Sequence, residues 1–68
     1  MTINENAIRR LEKEMTEMEA EIAAMYSYEW TRQADVRRSR LHGMIAAIGT
    51  LGYTIEHDED GSVRIVKL

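Results

Sequence analysis

Arg32, Arg37, Arg38 and Arg40, followed by His42, form the densest group of chemically capable side chains in this sequence. On a helix Arg37 and Arg40 are an i, i+3 pair and Arg38 and His42 an i, i+4 pair, so the cluster wraps around much of the helix surface. Guanidinium groups so placed suit phosphate contacts, and the nearby Tyr26, Tyr28 and Trp30 offer platforms on which bases stack. The same arginines can instead pair with glutamates of the preceding segment, or lay their stems over its apolar flank. A short charge run is a weak motif. The second reading is therefore the one we expect, and a nucleic-acid or nucleotide-phosphate site at Arg32, Arg37, Arg38 and Arg40 is the alternative.

The aromatic group Tyr26, Tyr28 and Trp30 is the second candidate. Tyrosine and tryptophan beside arginine are the residue types enriched in binding hot spots, so an exposed group here marks a partner-binding surface. The plainer expectation for Trp30 is that it caps a small core, with its indole N–H bonded to backbone.

Catalytic sets are missing. Glu56, His57 and Asp58 are adjacent, but neighbours on a strand point to opposite faces, so His57 and either of those carboxylates do not converge. Asp58, Glu59 and Asp60 are too few and too close for a calcium loop, and turn preferences account for them. His42 and His57 have no zinc-binding spacing, and no phosphate-cradling glycine loop or nucleophile elbow is present. The reading is of a non-enzyme with no catalytic residue, no metal and no cofactor.

These groups need elements to position them. Ile8, Leu11, Met15, Met18, Ile22 and Met25 step by three and four, the heptad spacing that packs helices along a narrow seam. No proline occurs anywhere and no glycine before Gly43, so helix is expected from about residue 5, capped by Asn4 or Asn6, to about 26. Half the seam is methionine, which packs adaptably and leaves partner number open. Glu12, Glu14, Glu19 and Glu21 flank it and repel their counterparts in a parallel pair. The stripe therefore calls for a basic antiparallel neighbour, within the chain or from another copy.

The frame breaks after Met25. A turn at Tyr26, Ser27 and Tyr28, with Ser27 as N-cap, gives a second helix over about 29–51 and hence a helical hairpin. A stutter through Ile22, Tyr26, Trp30 and Ala34 gives one long helix instead. The hairpin is preferred, because an acidic first helix and an arginine-bearing second one are complementary. Gly43 reads as a packing site or a kink, and Gly52 as the C′ residue ending the second helix.

From Tyr53 the period becomes two. Strands at 53–57 and 63–67 are expected, joined by a three-residue loop with Gly61 left-handed. Pairing His57 with Val63, Ile55 with Ile65 and Tyr53 with Lys67 collects the apolar side chains on one face, which packs on the second helix, and sets Glu56 opposite Arg64. Val66 and Leu68 near an edge suggest that hairpins pair between subunits.

Composition sets the remaining bounds. Sixty-eight residues make one small domain, 1–68, and so short a chain commonly needs a metal, disulfides or another subunit for sufficient burial. There is no cysteine, which closes the disulfide option and fits a reducing compartment. Net charge is −3, laid out acidic, basic, acidic along the chain, which disfavours a dispersed nucleic-acid binder. No stretch approaches the roughly 20 apolar residues of a membrane span, and no signal peptide is apparent. In general layout the chain is similar to small phage-encoded host-directed proteins, a likeness of composition carried by no motif.

The resulting expectation is an α+β protein, two helices followed by a two-stranded β-hairpin. It is a homo-oligomer, a dimer or a higher even number, through Ile8, Leu11, Met15, Met18, Ile22 and Met25. It binds a partner protein as an adaptor, regulator or inhibitor in the cytoplasm, or the host cytoplasm if viral, without touching a membrane. A structural subunit of a larger assembly is the further alternative.

Overall fold

A computed structural model describes residues 4–68, so the first three residues of the expected 1–68 domain lie outside the described part. It has two helices, α1 (Glu5–Ser27) and α2 (Thr31–Thr50), then two strands, β1 (Tyr53–His57) and β2 (Val63–Lys67). This is the expected α+β order, and the two-helix reading replaces the single long helix.

Asn4 is the N-cap of α1. Its side chain accepts the Ala7 N–H at 3.0 Å, and Glu5 lies in the first turn where the helix dipole favours an anion. At the other end Glu29 takes a positive φ of 61°. The Glu29 N–H reaches the Tyr26 carbonyl at 3.0 Å and the Trp30 N–H reaches the Met25 carbonyl at 2.8 Å. That bonding pattern is a Schellman motif with glutamate in the place glycine usually takes.

The expected turn at Tyr26–Ser27–Tyr28 is thereby corrected. Ser27 is the last residue of α1, not the N-cap of α2, because its hydroxyl donates back to the Ala24 carbonyl at 2.9 Å. The reversal comes two residues later, and α2 starts at Thr31 after Trp30, with no side-chain cap. Absence of glycine hid the turn, since the left-handed residue is Glu29.

The heptad stripe packs within the chain. Met15 and Ile22 from α1 meet Ala34, Leu41 and Ile48 from α2 in the core, with Tyr53, Val63 and Ile65 from the hairpin above them. Ala34, Leu41 and Ile48 recur every seven residues, as Ile8, Met15 and Ile22 do, so each helix offers the other a matching row. Burying a side chain such as Met15 contributes about 1.5–3 kcal/mol. Ile8, Leu11, Met18 and Met25 pack against this core but remain partly exposed.

The strands pair antiparallel in the expected register, Tyr53 with Lys67, Ile55 with Ile65, Glu56 with Arg64 and His57 with Val63. Gly61 closes the turn at φ 87°, and Gly52 ends α2 at φ 90°. The hairpin rests on both helices rather than on α2 alone: β1 packs on α2 and β2 on α1. Gly43 contradicts its expected packing role, because beyond its own stretch of helix no described atom lies within 4 Å of where its Cβ would stand.

The outer edge of β2 is covered. The Ile65 N–H donates to Glu12 Oε2 at 2.8 Å and the Val63 N–H to Thr16 Oγ1 at 2.9 Å, while the Thr16 hydroxyl donates to the Glu12 carbonyl at 2.7 Å. Pairing between subunits along the β2 edge, expected from Val66 and Leu68, loses two of the donors it would need.

Candidate functional site

The phasing of the helices decides which chemically capable side chains come together. On α1, Glu12, Thr16 and Glu19 touch the hairpin and define the sheet side. At 100° per residue Met18 and Met25 lie about 100–180° around from them, on the side turned away. On α2 the buried row Ala34, Leu41 and Ile48 separates Arg38 and His42, toward the hairpin, from Val36, Arg37, Arg40 and Met44, away from it.

The arginine cluster is divided by this geometry. Arg32, Arg37 and Arg40 line a groove of about 380 Å³ with Met25, Gln33 and Val36 on the back of the helix pair. Arg38 lies on the other side, with His42, Tyr26 and Glu19 around a second groove of about 340 Å³. Arg37 Nη1 sits 2.7 Å from Glu21 Oε1, the pairing between basic and acidic helices that the charge layout implies. The four arginines therefore do not form one phosphate-binding face.

The aromatic group divides as well. Tyr26 donates its hydroxyl to Asp35 Oδ1 at 2.5 Å and so ties α1 to α2 on the sheet side. Tyr28 and Trp30 form a separate pair at the corner between the helices, with ring centroids 5.8 Å apart and planes tilted by 37°. They are 70% and 55% exposed, so Trp30 is not the core cap expected of it. Its indole N–H has no hydrogen-bond partner among the described residues.

His57 meets a carboxylate that its neighbours in sequence do not supply. Its Nε2 lies 2.9 Å from both carboxylate oxygens of Glu19, on α1. Thirty-eight residues separate the two, so no local motif announced the pair; the alternation that aims His57 at the helices was its one signal. The pair is open to solvent, and among the described residues no hydroxyl nucleophile is bonded to His57. An imidazole oriented by a carboxylate is a fragment of general-base machinery without its substrate-activating partner. On the outer face Arg64 stands opposite Glu56 in the ladder, but its Nε pairs with Asp58 at 3.5 Å.

The Asp58–Asp60 turn is explained by its own backbone. Asp60 Oδ1 accepts the Ser62 N–H at 2.9 Å, and this hydrogen bond, with help from the Ser62 side chain, holds its carboxyl below the ordinary aspartate value. Among the described residues no three His, Asp or Glu side chains are grouped to hold a metal ion, and no helix is long and apolar enough to cross a membrane.

The back of the helix pair carries apolar side chains beside its arginines. Met18, Met25 and Met44 are half-buried there, and Val36 is 52% exposed. Glu14 and Glu21 flank them on α1, and Arg37 and Arg40 on α2. Comparison of the chain with protein-family models, with curated proteins and with solved structures gave no match, so the reading of function rests on these surfaces.

Proposed function

We propose that this chain is a non-enzymatic, self-associating protein-binding module that acts as an adaptor, regulator or inhibitor of a partner protein in the cytoplasm. The observation that carries the reading is the exposed Tyr28–Trp30 pair, two large rings held against each other at a corner and more than half open to solvent. Rigid aromatic rings supply contact area at small entropic cost, and they dominate hot spots once a partner desolvates them. The Schellman turn at Glu29 fixes the backbone between them, so the surface is largely organised before binding.

Capture of partners from the native cell by the full chain, identified by mass spectrometry, tests the reading. Trp30→Ala and Tyr28→Ala are expected to lose the captured partner, by on the order of tenfold or more in affinity, while circular dichroism stays unchanged. Capture that ignores both substitutions refutes the aromatic surface.

A second reading, binding of nucleic acid or a nucleotide phosphate, is favoured by the groove that holds Arg32, Arg37 and Arg40. It is weakened by the placement of Arg38 on the opposite side and by the engagement of Arg37 with Glu21. Phosphate binding weakens steeply with ionic strength, so binding to DNA, RNA or nucleotides at low salt, lost as salt rises, identifies this reading. A purely structural subunit of a larger assembly, the third reading, shows no separable ligand.

A further inference from the structure

We infer that the back of the helix pair is the self-association surface, and that its occupant is a second copy of this chain placed with α1 over the other copy's α2, making an antiparallel four-helix bundle. The inference deepens the proposed self-association by naming the surface and the geometry. The hairpin covers the front of the helix pair, whereas Met18, Met25 and Met44 stay half-buried and Val36 half-exposed on the back, in two grooves that share Arg37 and Arg40. Leaving these apolar side chains in water forgoes burial that a chain of this size needs.

Charge selects both the occupant and its orientation. On this face α1 is acidic, with Glu14 and Glu21, and α2 is basic, with Arg37 and Arg40. The Arg37–Glu21 contact puts those two residues at one level along the antiparallel pair, and Glu14 lies beside Arg37 and Arg40 in one groove. Two copies meeting face to face have two simple dyads. A dyad perpendicular to the helices lays α1 on α1 and α2 on α2, so glutamates face glutamates and arginines face arginines. A dyad parallel to the helices lays α1 on α2 of the other copy and preserves level, so Glu21 meets the second copy's Arg37, and the second copy's Arg40 lies between the levels of Glu21 and Glu14. Like-charge opposition penalises the first and opposite-charge pairing favours the second. The Arg37–Glu21 pair of each copy then joins its counterpart in one four-charge network beside the apolar side chains.

Sedimentation equilibrium of the full chain over a range of concentrations tests the inference. The unaltered chain is expected to dimerise. The double variants Arg37→Glu with Arg40→Glu, and Glu14→Arg with Glu21→Arg, are each expected to raise the dimer dissociation constant by about tenfold or more, because each makes both helices alike in charge. An equimolar mixture of the two variants is expected to restore a dimer, since acidic helices then face basic ones. These side chains stand at the surface, so circular dichroism is expected to remain helical, and Val36→Glu gives an independent test at an exposed apolar position.

A chain that stays monomeric throughout, or a dimer indifferent to both charge variants and to Val36→Glu, overturns the inference. A dimer indifferent to these changes leaves self-association standing and removes only the surface. Loss of partner capture by the Trp30 and Tyr28 variants is read separately and bears only on the partner-binding surface.

Discussion

The carboxylate of Glu12 accepts the backbone N–H of Ile65 at 2.8 Å, and through this bond a helix side chain does the work of a third strand. Thr16, one turn on, does the same for Val63 at 2.9 Å. Two-stranded hairpins are marginal in water. Here the hairpin gains a polar seam at its edge in addition to its apolar contact with the helices, and the seam fixes which way round it docks.

Removing the seam should loosen the hairpin selectively. Glu12→Ala leaves the Ile65 N–H without its charged acceptor, at a cost of about 1–2 kcal/mol given the partial exposure of the site. Glu12→Gln keeps an acceptor oxygen and should recover a substantial part of that. Urea denaturation measures the loss, and amide exchange localises it: the Ile65 amide should exchange faster in Glu12→Ala, with the central α2 amides following only the global change. Unaltered stability and exchange in Glu12→Ala would count against the seam.

The inter-helix turn offers a change in the opposite direction. Glu29 has φ 61°, a region costly for residues with a Cβ and accessible to glycine. Glu29→Gly relieves that cost but also frees the unfolded chain, so a net gain of about 0.5–1 kcal/mol is expected. Thermal unfolding followed by circular dichroism checks it, and a loss of stability would mean that the Glu29 side chain contributes more than its backbone costs.

Legibility of the fold from sequence follows the range of the forces involved. The hairpin register was readable because alternation and Gly61 act over a few residues, and a slip by one residue would expose Val63 and Ile65. The second helix was readable as amphipathic, but its start was not, because the residue with positive φ is a glutamate, to which no local preference points. The Glu12–Ile65, Thr16–Val63 and Glu19–His57 contacts join residues far apart in sequence, and each uses a side chain common on any helix surface. The division of the arginines was implicit in their spacing. Arg38 lies about 60° and Arg40 about 100° from the buried row in opposite directions.

Gly43 supplies a test of helix propensity in which the chain's own packing takes little part. It lies inside α2, and beyond its own stretch of helix no described atom stands within 4 Å of the position its Cβ would take. Gly43→Ala should therefore stabilise the chain by about 0.8–1 kcal/mol through backbone entropy alone. Chemical denaturation reads the gain as a higher midpoint at unchanged slope. Destabilisation would show that another copy or a partner approaches the helix closely at this point, since the chain itself does not.

Acid should weaken the hairpin turn through Asp60. Its carboxyl accepts the Ser62 N–H at 2.9 Å, chiefly because of which its folded pKa lies below the ordinary value of 3.8. A depressed folded pKa means that the unfolded chain binds its proton first as pH falls. The stabilisation is therefore complete above the unfolded value and disappears as pH drops through the lowered folded one. Carboxyl NMR should place the Asp60 midpoint below 3.8 in the native state. Asp60→Asn keeps an oxygen that can accept the Ser62 N–H but carries no titrating proton. Its stability should fall less than that of the unaltered chain between about pH 5 and pH 2, the window in which carboxylates titrate. An Asp60 midpoint at or above the ordinary value, or identical pH profiles for the two proteins, would refute the coupling between this carboxylate and the turn.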